Sequence, residues 1–188
     1  MKKNPIQTER TKQNIIDSFW LLAKEKGLQN VSISELMKKA GYNRGTFYVY
    51  FFDMDDLLNQ AEENIIYHLK NKLQDSLSNF DVNNFENIST KMVDTFTSYD
   101  DKLYLLLGIN GDSRFIFKIR NEMSNIFNNI FPSHKLSDLK EYIIIYISSA
   151  FVGVLTHWYE SNNKIDRTQL ADIIYNIATH GLSGLLNK

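Results

Sequence analysis

The sequence predicts an all-α protein of about nine helices, with a three-helix N-terminal head followed by a larger C-terminal helical bundle. Three observations carry that expectation. The 188 residues include only two prolines, Pro5 and Pro132. No stretch shows the strict apolar-polar alternation of a half-buried strand. Apolar positions instead recur three and four residues apart, between residues suited to capping helices. An apolar share of 43% with 2 Trp, 10 Tyr and 12 Phe supplies a core and excludes a disordered chain. The absence of cysteine excludes disulfides, thiolate metal sites and cysteine nucleophiles.

The first helix is expected from about Thr8 to Lys26, with Ile15, Ile16, Phe19, Leu22 and Ala23 inward and Gly27 placed to end it. Ser32-Ile33-Ser34-Glu35 reads as a capping box that opens a short second helix carrying Leu36, Met37 and Ala40 inward and stopping at Gly41. Asn43 caps a third helix running through Phe47 to about Phe51. Two short helices separated by Gly41-Tyr42-Asn43 form a helix-turn-helix candidate. Asp53 caps a long fourth helix that ends near Ser78, with Asp55 and Asp56 in its first turn. Five more helices are expected at about 84 to 99, 101 to 107, 113 to 130, 138 to 161 and 167 to 186, the last opened by a capping box of Asp166 and Gln169. Breaks are expected at Pro132 and at Ser161-Asn162-Asn163, and Gly108 to Gly111 reads as a turn.

Charge is divided unevenly along this framework. Residues 1 to 52 hold nine Lys or Arg against four acids, whereas the remainder holds 12 basic and 18 acidic residues. A basic head on an acidic body suits a polyanion partner for the head alone. The third helix adds chemistry to that charge. Phe47 and Phe51, four apart, share the face that would anchor it, while Arg44 and Tyr48, also four apart, share another. Thr46 and Tyr48 bring hydroxyls that can donate to phosphate oxygens, and Arg44 can make a bidentate contact to guanine or phosphate. Gly45 in the first turn costs up to about 1 kcal/mol relative to alanine, which makes sense where a helix must approach another surface closely. Tyr42 and Phe47 also occupy the two positions of a hydrophobic staple, so Tyr42 either fixes the turn or touches a base or sugar.

The segments TKQNIIDSFWLLAKEKG, VSISELMKKAG, YNRGTFYVYF and DMDDLL, in this order between Thr8 and His68, resemble the tetracycline-repressor (TetR/AcrR) family of bacterial regulators. The resemblance implies a DNA-binding domain over residues 8–68 and a ligand-sensing and dimerisation domain over 69–188. Its last two helices would form a dimeric four-helix bundle. It implies a recognition helix at Asn43 to Tyr50, with DNA-contacting positions matched by Ser34, Tyr42, Asn43, Arg44, Thr46, Tyr48 and Tyr50. The sequence departs from the family at Met54, where a phosphate-touching lysine is common. Lys2, Lys3, Lys12, Lys38, Lys39 and the free amides of the fourth helix are candidates to replace that contact. The function implied by the resemblance is that of a sequence-specific regulator, a ligand-responsive repressor binding a palindromic operator as a dimer. The alternative is a helical ligand-binding or interaction protein with a degenerate DNA-binding head, and Met54 motivates it.

The body names no ligand. Met92, Phe96, Tyr99, Tyr104, Phe115, Met123 and Phe127 are expected mainly as core and secondarily as the lining of a pocket for a small apolar or amphipathic molecule. The helix at 138 to 161 is apolar nearly all round, so one side is expected to be buried by a second copy, through Ile147, Phe151, Val154 and Trp158 with Ile174 and Ile177 of the last helix. Its most apolar run, 143 to 155, is shorter than the roughly 18 to 20 residues that cross a bilayer, and the N-terminus lacks the apolar segment of a secretory signal, so a cytoplasmic protein with no membrane partner is expected. His68, His134, His157 and His180 show no metal-ligand spacing, and no nucleophile with a base, paired carboxylates or cofactor loop is evident. Neither an enzyme, a metal site nor a cofactor is expected.

Overall fold

A computed structural model describes residues 5–77, 85–130 and 139–181. Among these there are nine α-helices, one 3-10 turn and no strand. The chain divides into two compact units, Met1–Ile65 and Ile66–Lys188.

In the first unit, α1 spans Pro5–Lys26, three residues earlier than expected. A proline is well suited to a first helical position, where its missing N–H would have had no partner. A 3-10 turn at Leu28–Asn30, which the sequence pattern does not reveal, buries Leu28. Helix α2 spans Ile33–Ala40 and opens on the expected box: the Glu35 amide donates to Ser32 Oγ (3.3 Å) and the Ser32 amide to Glu35 Oε2 (3.4 Å). Gly41 ends it at φ 77°, a left-handed conformation that costs a residue with Cβ about 1 to 2 kcal/mol and that glycine adopts freely. The Tyr42 amide then reaches the Met37 carbonyl (3.0 Å) and turns the chain into α3, Arg44–Tyr50. Helix α4 spans Met54–Leu77. Ile15, Phe19, Leu36, Met37, Phe47 and Leu57 are fully buried and form the centre of this unit.

In the second unit the remaining helices are α5 (Phe85–Thr97), α6 (Asp100–Leu107), α7 (Ser113–Ile130), α8 (Lys140–Glu160) and α9 (Arg167–His180). Helix α7 packs along α8, α9 along α5, and α6 against α7 and α8. The turn between α6 and α7 requires its glycine, because a Cβ at Gly111 would lie 2.2 Å from the Leu106 carbonyl oxygen. Asn162 and Asn163 both take positive φ (56° and 55°) between α8 and α9, a conformation asparagine tolerates better than most residues. Asp166 and Gln169 form the expected box at α9. The expected break at Pro132 and the end of the last helix beyond Gly181 lie outside the described residues.

Helix α8 is 21 residues long and by composition apolar enough to cross a membrane. Ile144, Ser148, Phe151, Val152, Leu155, Trp158 and Tyr159 are nevertheless buried at helical spacing, so one face belongs to a protein core. The chain itself leaves another side open: Tyr142, Ile145 and Tyr146 are 73%, 53% and 66% exposed.

Candidate nucleic-acid interface

The edge of α3 is set by its cap. Asn43 Oδ1 accepts from the Thr46 amide (2.9 Å) and from the Thr46 hydroxyl (3.1 Å). The Thr46 hydrogen, expected to be available for phosphate, is thereby committed inside the helix, and only the lone pairs of its oxygen face outward. Four residues on from Asn43, Phe47 is fully buried, with its ring 5.4 Å from that of Phe51. This pair fixes the helix to its unit, as the spacing predicted. The opposite edge is open. Arg44 and Gly45 are exposed, Tyr48 is 52% exposed, and Arg44 Nη2 donates to Tyr48 Oη at 3.3 Å. The guanidinium also lies 6.0 Å from the Tyr48 ring centre. A Cβ at Gly45 would meet Asn43 Oδ1 at 3.3 Å, so glycine both relieves the cap and leaves the backbone uncovered.

Tyr42 is half-buried, and its hydroxyl accepts from Asn14 Nδ2 of α1 at 3.2 Å. Hydrogen bonds from Asn14, then Thr11, hold the phenol below its ordinary value. The bond from Asn14 ties the turn to α1 and holds the hydroxyl in place. Sequence reasoning misses Asn14 because it lies 28 residues away and no local pattern links the two. Ser34 is exposed in the first turn of α2. Tyr50 is half-buried, its carbonyl accepting from Gln60 Nε2 at 3.4 Å.

The surrounding charge is partly spent. Glu35 pairs with Lys26 Nζ at 2.7 Å, and Glu25 with Lys39 at 3.1 Å. Lys26, and then Ser32, draw the Glu35 carboxyl from 4.5 down to about 2, so it remains a charged partner for that lysine. At the start of α4, Asp53 Oδ1 accepts from the Asp56 amide (2.8 Å), and Asp56 Oδ2 from the Phe52 amide (2.9 Å). One amide of the helix end expected to bind an anion, that of Asp56, is thus served by Asp53, the Phe52 amide before the helix is served by Asp56, and both carboxylates also repel phosphate. Phe52 projects there with 89% exposure. Lys12 is half-buried on α1 and Lys38 exposed on α2, while Lys2 and Lys3 lie outside the described residues.

The body differs from expectation in a systematic way. Phe96, Phe115 and Met123 are fully buried core, Tyr99 is half-buried at the start of α6, and Tyr104 donates its hydroxyl to Asn162 Oδ1 at 2.8 Å. Of the seven expected pocket residues, Met92 and Phe127 line a cavity of about 490 Å³. Its main wall comes from residues expected at the dimer interface, namely Ile147, Phe151 and Val154 of α8 with Ile174 and Ile177 of α9. Phe151 packs edge-on to Phe96 at 5.2 Å, and the Trp158 indole donates to the Ile165 carbonyl at 2.7 Å. Both side chains are buried within the chain, so neither is available as a free interface residue. An apolar pattern on every face of α8 gives no means of telling which face its own chain covers.

Residues 15–61 match the sequence pattern of the tetR family of bacterial regulatory proteins, and residues 83–180 that of a transcriptional regulator C-terminal region. The chain is 36% identical over 73 residues to the HTH-type transcriptional regulator YvdT of Bacillus subtilis (strain 168), a match covering 39% of this chain and 38% of that one. It is 32% identical over 62 residues to the HTH-type transcriptional regulator AcrR of Shigella flexneri, covering 33% and 29% respectively. The matched stretch therefore spans well under half the length of either relative. The fold is similar to that of the fatty acid degradation regulator FadR from Bacillus halodurans, with a TM-score of 0.69 at 20% identity over 97% of this chain and 98% of that one. With both halves matched and a helix-turn-helix whose outer edge is open, the chain belongs to the tetR family of bacterial regulatory proteins, a family of DNA-binding transcriptional regulators.

Proposed function

We propose that the protein is a ligand-responsive repressor that binds a palindromic operator as a homodimer, placing two copies of α3 in successive major grooves. The half-sites are then one helical turn apart, roughly 34 to 36 Å. Residues 8–68 serve as the DNA-binding domain and residues 69–188 as the sensing and dimerisation domain. The observation that carries this reading is the two-faced α3, with Phe47 and Phe51 buried on one side and Arg44, Gly45 and Tyr48 open on the other. In this reading Arg44 contacts guanine or phosphate. Tyr48, already accepting from Arg44, gives its own hydrogen to a phosphate oxygen. Ser34, Tyr42, Asn43 and Tyr50 provide further polar contacts, Thr46 an acceptor, and Gly45 the close approach.

The exposed stripe of Tyr142, Ile145 and Tyr146 on α8 supports the dimer, together with Gly153, where a Cβ would meet nothing within 4 Å. Contiguous apolar surface of this kind marks an interaction site. The cavity of the second unit supports a small apolar or amphipathic effector, and a protein that works on bacterial DNA is expected in the cytoplasm. The acidic start of α4 favours a second reading, a helical ligand-binding or interaction protein whose head holds DNA only weakly.

Titration of labelled DNA from upstream of the protein's own gene, at several salt concentrations, tests the proposal. Specific binding that is far tighter than to random DNA and weakens linearly on a log–log salt plot is expected. Equal affinity for random DNA removes the sequence-specific regulator and leaves the second reading.

A further inference from the structure

We infer that Phe52, at the junction of α3 and α4, touches DNA, its ring lying on the deoxyribose C–H surface of the operator backbone beside Tyr48 and Val49. The inference rests on the reading of α3 as the recognition helix and adds to it an apolar contact outside that helix.

The junction has no cation to offer a polyanion. Between Arg44 and Lys70 the sequence contains no Lys or Arg, and Asp53, Asp55 and Asp56 stand at the start of α4. Two of these carboxylates are turned back on the chain. Asp53 accepts from the Asp56 amide, while Asp56 accepts from the Phe52 amide through Oδ2 and from Gln60 Nε2 through Oδ1 at 3.0 Å. Beside them the chain presents apolar surface: Tyr48, Val49 and Phe52 are 52%, 54% and 89% exposed. One exposed apolar side chain is ordinary, but three so close together mark an interaction site.

The ring is also held in position. Phe51 is extended, at φ −138° and ψ 142°, and is buried against Phe47. Successive side chains of an extended backbone point to opposite sides, so Phe52 is turned away from the core. Its amide is fixed by Asp56 Oδ2 at 2.9 Å. A side chain set in place beforehand loses little freedom on binding.

The length of α3 decides what the ring meets. Recognition helices meet base edges with their N-terminal residues. The seven residues of α3 rise about 10 Å, against a major-groove width of roughly 12 Å. Phe52, past the C-terminal end, therefore stands at the wall of the groove rather than over its floor. The apolar surface of that wall is the C–H face of the sugars, and contacts there position a protein without reading sequence. The thymine methyl, the other apolar group of DNA, belongs to the floor.

Fluorescence anisotropy with the full-length protein and a duplex from upstream of its own gene tests this. Phe52→Ala is expected to weaken binding about 4- to 12-fold per half-site, half the effect of burying a whole phenylalanine side chain, because the ring rests on one face. The slope of log affinity against log salt should not change, since the ring releases no counterion. Phe52→Lys puts a cation at the same wall and should steepen that slope by about one per half-site. The loss in Phe52→Ala should be the same on a duplex in which deoxyuridine replaces every thymine.

Unchanged affinity in Phe52→Ala, with Arg44→Ala weakened, overturns the inference and leaves α3 as the recognition helix. Unchanged affinity in both variants overturns the reading beneath it. A loss that vanishes on the deoxyuridine duplex assigns the ring to a thymine methyl and overturns the sugar contact. An unaltered salt slope in Phe52→Lys overturns the placement at the backbone. Sedimentation without DNA should be the same for Phe52→Ala as for the unaltered protein, and a shift to a smaller species assigns the ring to a protein contact instead. With the side chain almost fully exposed, both variants should melt as the unaltered protein does. Should one fail to fold, the other still decides, Phe52→Ala through affinity and Phe52→Lys through the salt slope.

Discussion

Arg44→Ala separates a recognition residue from a merely solvated one. In the free protein its side chain makes one hydrogen bond to Tyr48 at 3.3 Å and lies 6.0 Å from that ring, both at the long end of useful contact and both in solvent. Such contacts contribute about 0.5 to 1 kcal/mol at most, so the melting temperature of the variant should barely move. On DNA the loss is larger: a bidentate arginine to guanine is worth about 1 to 3 kcal/mol, or roughly 5- to 150-fold in affinity per half-site. Fluorescence anisotropy with the operator and with a scrambled duplex, at fixed and then varied salt, distinguishes the two roles open to Arg44. A base contact weakens the operator far more than the scrambled duplex, whereas a phosphate contact weakens both alike and reduces the salt slope by about one. Arg44→Lys keeps the charge but not the fork, so for a base contact it should resemble alanine. Unchanged operator affinity in a cooperatively melting Arg44→Ala protein refutes the assignment of α3.

Ser32→Ala removes the side-chain acceptor of the Glu35 amide and should destabilise the first unit by about 1 kcal/mol, read from Trp20 fluorescence in urea. Because the folded Glu35 carboxyl is drawn from 4.5 to about 2, its contribution is present above the ordinary value and is lost as pH falls between the two; Glu35→Gln should flatten that part of the pH profile. Tyr159→Phe removes a 2.9 Å hydrogen bond to Asp100, a charged acceptor that keeps Arg167 at 2.8 Å, so a loss near the lower end of about 1.5 to 3 kcal/mol is expected. Burial, then the Asp100 charge, raises that phenol, so its contribution is complete below about pH 10 and declines above it, an alkaline slope the phenylalanine variant should lack. Ile145→Asp places a charge on the exposed face of α8 without touching the core; sedimentation should show monomer where the unaltered protein is dimeric, and an unaltered protein that is monomeric at micromolar concentration removes the dimer.

The parts of this molecule that are legible in the sequence are those decided within one turn of chain. The boxes at Ser32 and Asp166, the Asn43 and Asp53 caps and the stop at Gly41 depend on residues three apart or on one backbone angle, and each sits where its residues place it. The division of α3 into a buried Phe47 face and an open Arg44 edge follows from spacing alone. Other features depend on distant partners. Asn14 holds Tyr42 and Asn162 holds Tyr104, 28 and 58 residues away. The Thr46 hydroxyl reads as a phosphate donor in the sequence because the identity of a side chain does not reveal where its hydrogen points, and in the folded helix the Asn43 cap claims that hydrogen.

The exchange between expected pocket and expected interface has a physical origin in α8. An ordinary surface helix needs an apolar stripe about 100° wide to pack on its own chain. Helix α8 carries much more. Ile144, Val152 and Leu155 go to the core, Ile147, Ala150 and Val154 to the cavity wall, and Tyr142 and Ile145 to solvent. When every face is apolar, composition cannot rank the three destinations; only the placement of α5, α7 and α9 does. Tyr146 belongs to two of them, since it borders the cavity mouth and is exposed on the stripe beside Ile145. A substitution at Tyr146 would therefore alter ligand and assembly together and identify neither. Ile145 lies on the stripe without lining the cavity, and Ala150 lines the cavity while only half-buried, so these two positions divide the surfaces that Tyr146 joins.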